Sequence, residues 1–206
     1  MWDNPLRRFI VGSLIGATAY AFCLGVANAD EKEDAARGVV DELHNQLFAV
    51  ANDSTLTFDE RVFELTPIVK ASYDFEYISR FVLRRSWRDL ERSQKDEFIS
   101  AFQRLSVANY ANRFSDIAAE NLVITEVLPA NGDRVQVDSR LQSDELDLML
   151  SYTLRGGEGG HWAIVNLIAD GVSDLALRRA EYSRVFKDKG FDGLLVHVEG
   201  QISDLN

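Results

Sequence analysis

The sequence predicts an α+β fold, an antiparallel four-stranded meander covered by several helices, and three observations carry that expectation. Four stretches between Asn121 and Gly171 alternate apolar and polar residues at the period of a β-strand. Short links join them and hold the glycines that hairpin turns need, Asn131-Gly132-Asp133 and the run Gly156 to Gly160. Helical patterns fill the chain before and after, and such segregation places helices on one face of the sheet.

The strands are read as Leu122 to Leu128, Arg134 to Leu141, Leu146 to Leu154 and Trp162 to Ile168. In the second, Val135, Val137 and Leu141 share one face, opposite Arg134, Gln136, Asp138 and Arg140. The third sets Leu146, Leu148, Leu150, Tyr152 and Leu154 against Asp147, Ser151 and Thr153. Parity in the fourth groups Asn166 with Trp162, Ile164 and Ile168, a polar group on an oily face. It reads either as a buried amide bonded to backbone or as a contact for the polar part of a ligand.

Helices are the cover. Asp30 to Asn52 is amphipathic, with Val40, Leu43 and Leu47 on its apolar side. Thr57 to Ser72 follows, and Pro67 is expected to kink or split it. Asp74 reads as the N-cap of a third helix through Phe75, Ile78, Phe81 and Leu83. Ser86-Trp87-Arg88 reads as an interruption before a long helix from Ser93 to Ser115, opened by a near capping box, Ser93 to Asp96. Two more helices, Asp174 to Lys189 and Phe191 to Leu205, close the chain. Aromatic residues crowd the central helices, among them Phe75, Phe81, Trp87, Phe98, Phe102, Tyr110 and Phe114. Such a set builds a solid core or lines a ligand cavity, and periodicity is the same for both.

The first 29 of the 206 residues read as a cleaved secretory signal: Arg7-Arg8, an apolar run from Phe9 to Val26, then Ala27-Asn28-Ala29. A retained membrane anchor is the alternative. Cleavage leaves residues 30–206 as a single domain, removes the only cysteine, Cys23, and takes the net charge from −11 to −12 through loss of Asp3, Arg7 and Arg8. So acidic a domain is repelled by nucleic acid and by anionic membrane surfaces. His44, His161 and His197 have no metal-ligand spacing, and no catalytic or phosphate-loop motif is present.

Two segments resemble a known family. One runs Tyr73-Asp-Phe-Glu-Tyr-Ile-Ser-Arg-Phe-Val-Leu83, then Ser86-Trp87-Arg88, Gln94 to Phe98, Ala101-Phe102 and Asn109-Tyr110. The other is Trp162 to Ser173, followed by Arg179, Phe186 and Gly190 to Leu195. Together they resemble the periplasmic phospholipid-binding proteins of the Mla pathway, the MlaC-type or toluene-tolerance family. Arg84-Arg85 stand where family members usually carry glycine, and Asn166 where aspartate is common. These departures also fit a branch found with hopanoid biosynthesis.

The resemblance implies a sheet and helices enclosing a cavity for phospholipid acyl chains, with headgroups left near solvent. It implies a soluble periplasmic carrier that moves lipid between an outer-membrane lipoprotein–porin complex and an inner-membrane ABC transporter with a ring-forming substrate-binding subunit. No cofactor and no covalent chemistry are expected. Strand parity and helical face give the expected lining: Val135, Val137, Leu146, Leu148, Leu150 and Tyr152 from the central strands, and Trp162, Ile164, Asn166 and Ile168 from the last. Phe81, Trp87, Phe98, Phe102, Leu105 and Tyr110 complete it from the helices. Carriage of a hopanoid or other triterpenoid is the nearer alternative. A small cone-fold enzyme of isomerase or dehydratase type is the farther one; it needs an interior acid–base pair, for which the sequence offers only Tyr152 and Asn166.

Overall fold

The computed structural model describes residues 20–113, 121–142 and 147–205. The expected cleavage signal thus lies mostly outside the described residues, as do Leu146 and Phe114. Six helices, α1 (Tyr20–Ala51), α2 (Phe58–Ser72), α3 (Phe75–Leu83), α4 (Arg85–Asp89), α5 (Arg92–Arg113) and α6 (Asp174–Ser203), accompany an antiparallel sheet. Its strands are β1 (Asn121–Ala130), β2 (Arg134–Gln142), β3 (Asp147–Gly156), β4 (Trp162–Ala169) and β5 (Val172–Ser173), in that spatial order. No helix among the described residues is long and apolar enough to cross a membrane.

The meander has five strands where four were expected. Asp170 (φ 46°) and Gly171 (φ 79°) form a tight turn that folds Val172 and Ser173 back onto β4. Alternation on β2 and β3 is as read: Val135, Val137, Leu141, Leu150, Tyr152 and Leu154 are buried. Both outer parts of the sheet carry irregularities. The β1–β2 register shifts at Thr125, and the β3–β4 register shifts at Val165.

α1 crosses the oily face, touching β1 to β4 and burying Val40, Leu43 and Leu47. α2 opens on a complete capping box between Thr57 and Glu60. Pro67 stays inside α2 without splitting it. The carbonyl deprived of its donor belongs to Phe63, which is 76% exposed, so water can take the missing place. At the α2–α3 junction Tyr73 bridges Ile164 of β4, the Asp74 N–H donates to the Ile164 carbonyl at 3.0 Å, and Arg155 pairs with Asp74 at 3.0 Å. Asp74 also caps α3 by accepting from the Tyr77 N–H.

Two local expectations change. Ser86-Trp87-Arg88 belongs to the short helix α4, with Trp87 buried. α5 begins at Arg92, and its cap is Gln94 accepting the Glu91 N–H at 3.0 Å, so Ser93 lies within the helix. The two closing helices are as read: α6 is divided at Gly190 (φ 68°, ψ −167°), a conformation that only glycine adopts readily. Its halves fold against each other: Tyr182 donates to Gln201, and Glu181 accepts from Gln201 and pairs with His197. A Cβ at Gly193 would lie 2.2 Å from that of Lys189, so this hairpin needs its second glycine for room.

Candidate functional site

The sheet's oily face is covered unevenly. Toward Val135, Leu154 and Trp162 it is packed solid; toward Leu141, Leu148 and Ala169 a gap remains between sheet and helices. The gap is a cavity of about 130 Å³, partly open to solvent, the liquid volume of ~4 water molecules. Its floor is Leu141, Leu148, Leu150, Tyr152 and the stretch Val165 to Ala169 except Ile168. Its walls are Tyr73, Phe75 and Ile78 from the α2–α3 junction, Phe102 to Arg113 of α5 on one face, and Asp174, Leu175 and Arg178 of α6.

The lining is mainly apolar, with several polar groups, most of them partnered. Tyr73 and Tyr110 share a hydrogen bond of 2.5 Å between their hydroxyls. Burial holds both phenols, and that of Tyr152, far above the ordinary tyrosine range, so all three stay protonated. Arg178, with 14% of its side chain exposed, pairs with Asp174 at 2.8 Å, donates to Tyr182 at 3.1 Å and lies over the Phe102 ring. Phe98 stacks on Phe102, and Tyr182 meets both edge-on. Burial pushes the Tyr182 hydroxyl up to about 12.

Behind the floor sits a group that the sequence left unplaced. His44 of α1 is 3% exposed, and its Nε2 lies 3.2 Å from the Tyr152 hydroxyl. Burial pulls its pKa down to about 4, which keeps the ring neutral. The pair does not resemble an acid–base dyad, because the phenol is driven up and the imidazole down. Among the described residues no cluster of histidine, cysteine or carboxylate side chains could hold a metal ion.

Of the residues expected to line the site, Phe102, Tyr110, Leu148, Leu150, Tyr152 and Asn166 border the cavity. Val135, Val137, Phe98, Leu105 and Ile164 instead fill the solid core. Trp162 lies at the far end of the sheet, its ring 3.4 Å from where a Cβ on Gly156 would stand. Trp87 is buried with Lys95 over its ring, and Phe81, 37% exposed, faces an outer groove. Leu146 lies outside the described residues.

The parity of β4 also needs correction. The bulge at Val165 pairs Ile164 with Leu154 but Asn166 with Thr153 and Leu167 with Tyr152. Past the bulge, Leu167 and Ala169 turn inward, while Ile168 turns to the outer face opposite Ser151. Asn166 therefore reaches the cavity from its margin, where it accepts a hydrogen bond from Ser173 at 2.9 Å. The run Ala163-Ile164-Val165, apolar without alternation, is the sequence signal for the slip. Tyr73, Phe75, Ile78 and Arg178 were missed as lining because helical face alone does not say which turn stands over a gap.

A family model described as "MlaC protein" matches residues 41–199, more than half the chain. The chain belongs to the MlaC family. The fold agrees: a solved structure of the phospholipid-binding protein from Ralstonia solanacearum, in complex with a phospholipid, superposes with a TM-score of 0.72. The two are 17% identical, over 82% of this MlaC-family chain and 98% of the other. Comparison with curated proteins finds no match.

Proposed function

We propose that this MlaC-family protein is a periplasmic carrier that holds the acyl chains of a phospholipid between its sheet and helices. The observation that carries the reading is the apolar cavity left where α5 and α6 stand off from β3 and β4. The phospholipid seen in the R. solanacearum protein of like fold supports it. In this reading residues 1–29 are a cleaved export signal and 30–206 one lipid-binding domain. The carrier exchanges lipid with an outer-membrane lipoprotein–porin complex and an inner-membrane ABC transporter.

The physics accounts for an enclosed site. Exposing apolar chain to water costs ~0.8 kcal/mol per methylene, so a sixteen-carbon tail costs roughly 12 kcal/mol. A carrier has to cover most of that length. Transfer from a bilayer to an equally apolar pocket is nearly neutral, so release needs no large input at the carrier. The cavity at rest is smaller than a drug-sized ligand site, ~300–1,000 Å³, so loading requires α5 and α6 to move away from the sheet. Neutral phenols and an arginine already paired with Asp174 suit binding without covalent chemistry.

Periplasmic expression in a bacterium, purification without detergent and mass spectrometry of an organic extract test this. Stoichiometric phospholipid is expected. A folded protein that never carries diacyl lipid, even after incubation with vesicles, overturns the reading, and uptake of added hopanoid by that protein assigns a triterpenoid cargo instead. The Leu148→Asp protein, which places a charge on the cavity floor, is expected to fold and emerge without lipid.

A further inference from the structure

Beside the cavity an open groove is lined by Phe81, Arg84, Arg179, Ser173 and Ser183, and the two spaces share Asn166 and Leu175 as a common wall. Arg84 joins α3 to α4 at φ 49°, ψ −110°. Glycine adopts that conformation freely and other residues are strained there, so the arginine side chain is kept against a backbone preference. Across the groove, the Arg179 guanidinium lies 5.3 Å from the centre of the exposed Phe81 ring, which holds it in place.

Neither arginine has an ion-pair partner among the described residues. Arg178 is taken by Asp174, Arg155 by Asp74, Arg140 by Asp147 and Arg104 by Glu199, whereas Arg80, Arg85, Arg88 and Arg184 also lack an ion pair among the described residues; what sets Arg84 and Arg179 apart is that they border one groove together with Asn166. In a chain of net charge −11 with 33 carboxylate residues, two unpaired guanidinium groups meet in one groove. Asn166 adds a donor at the junction. Its carbonyl oxygen is occupied by Ser173, and its amide N–H groups have no partner among the described residues. Guanidinium forks match phosphate oxygens two at a time.

We propose that this groove holds the phosphate of a lipid whose tails lie in the adjoining cavity, with Arg84 and Arg179 as its ligands and Asn166 at the crossing. The assignment rests on the carrier reading. It makes the protein discriminate by charge, not by headgroup identity: diacyl lipids with a phosphate are taken, and the same tails on an uncharged glycerol are refused.

Lipid-free protein is incubated with vesicles holding equal amounts of dipalmitoylphosphatidylglycerol and dipalmitoylglycerol, repurified and extracted. The wild type is expected to take the phosphate-bearing lipid in about tenfold excess or more, the effect of charge-assisted hydrogen bonds. Arg84→Gly, Arg179→Gln and their combination are expected to erase most of that preference, and Arg84→Lys to keep part of it. Arg84→Gly relaxes the backbone, so its melting temperature holds or rises while selectivity falls; selectivity that stays at the wild-type level in this folded variant means that Arg84 does not hold the phosphate. Selectivity unchanged in the double variant overturns the proposal. Equal uptake of both lipids by the wild type overturns it while the carrier reading stands, and uptake of neither ends both. If inorganic phosphate shows Arg84-dependent ³¹P broadening with no lipid preference, the groove binds free anion and the lipid assignment falls.

Discussion

Two ends of the same sheet face are built from the same residue types and do different things. At one end Val135, Leu154 and Ile164 lie fully under helices, with the α2–α3 junction pinned to β4 by the Asp74–Ile164 hydrogen bond. At the other, Leu148, Leu150, Leu167 and Ala169 look into a gap that no side chain fills. Tyr152 stands on the border, its ring forming part of the cavity floor and its hydroxyl held by His44. The difference is one of covering volume, not of hydrophobicity. The solid end supplies the stability that lets the hollow end stay unfilled.

Leucine truncation on β3 is the sharpest way to break that comparison. Leu154→Ala opens a void in packed surroundings and is expected to cost ~2–5 kcal/mol in urea unfolding, with lipid retention intact in the folded fraction. The border comes next. The neutral His44 of the folded state titrates near 4, against 6.5 when unfolded, so the unfolded chain binds the extra proton first. Stability is full above pH ~6.5 and falls as pH drops toward ~4, by about 3 kcal/mol in all. A His44→Gln protein, which keeps a partner for Tyr152, is expected to lose that slope in melting temperature against pH.

At the hollow end the effects shrink. Tyr73→Phe removes the hydroxyl pair at the cavity wall and is expected to cost ~1 kcal/mol. Leu148→Ala, on the same strand as Leu154, is expected to cost under ~1 kcal/mol, because its side chain already borders space. Equal penalties for Leu148→Ala and Leu154→Ala would dissolve the distinction between the two ends.

The sheet was legible because period-two alternation over β2 and β3 depends on nothing beyond the strand itself. β4 defeated the same reasoning at Val165: one unpaired residue inverts every side chain after it, and only the partner strand reveals the slip. β5 went unread although Asp170-Gly171 is a hairpin turn signal, since a two-residue strand has no periodicity. The central helices were found, yet their aromatic residues divided in a way that spacing does not encode. Phe98 and Phe102 are one turn apart and stacked, but only Phe102 reaches the cavity. Whether a buried face meets atoms or a gap depends on how far α5 and α6 stand from the sheet, which residues such as Arg178 and Tyr182 set jointly. His44 offered the sequence only a lack of metal-ligand spacing, because its partner Tyr152 lies 108 positions away.

The margins of the sheet have a consequence for the molecule's life in solution. One margin is β5, only two residues long; the other is β1, bent by the bulge at Thr125 and carrying Pro129 near its end. A short strand gives an incoming chain little to zip onto, and a bulge and a proline spoil the register of a longer one. Strand-to-strand pairing between copies is thereby disfavoured at both margins.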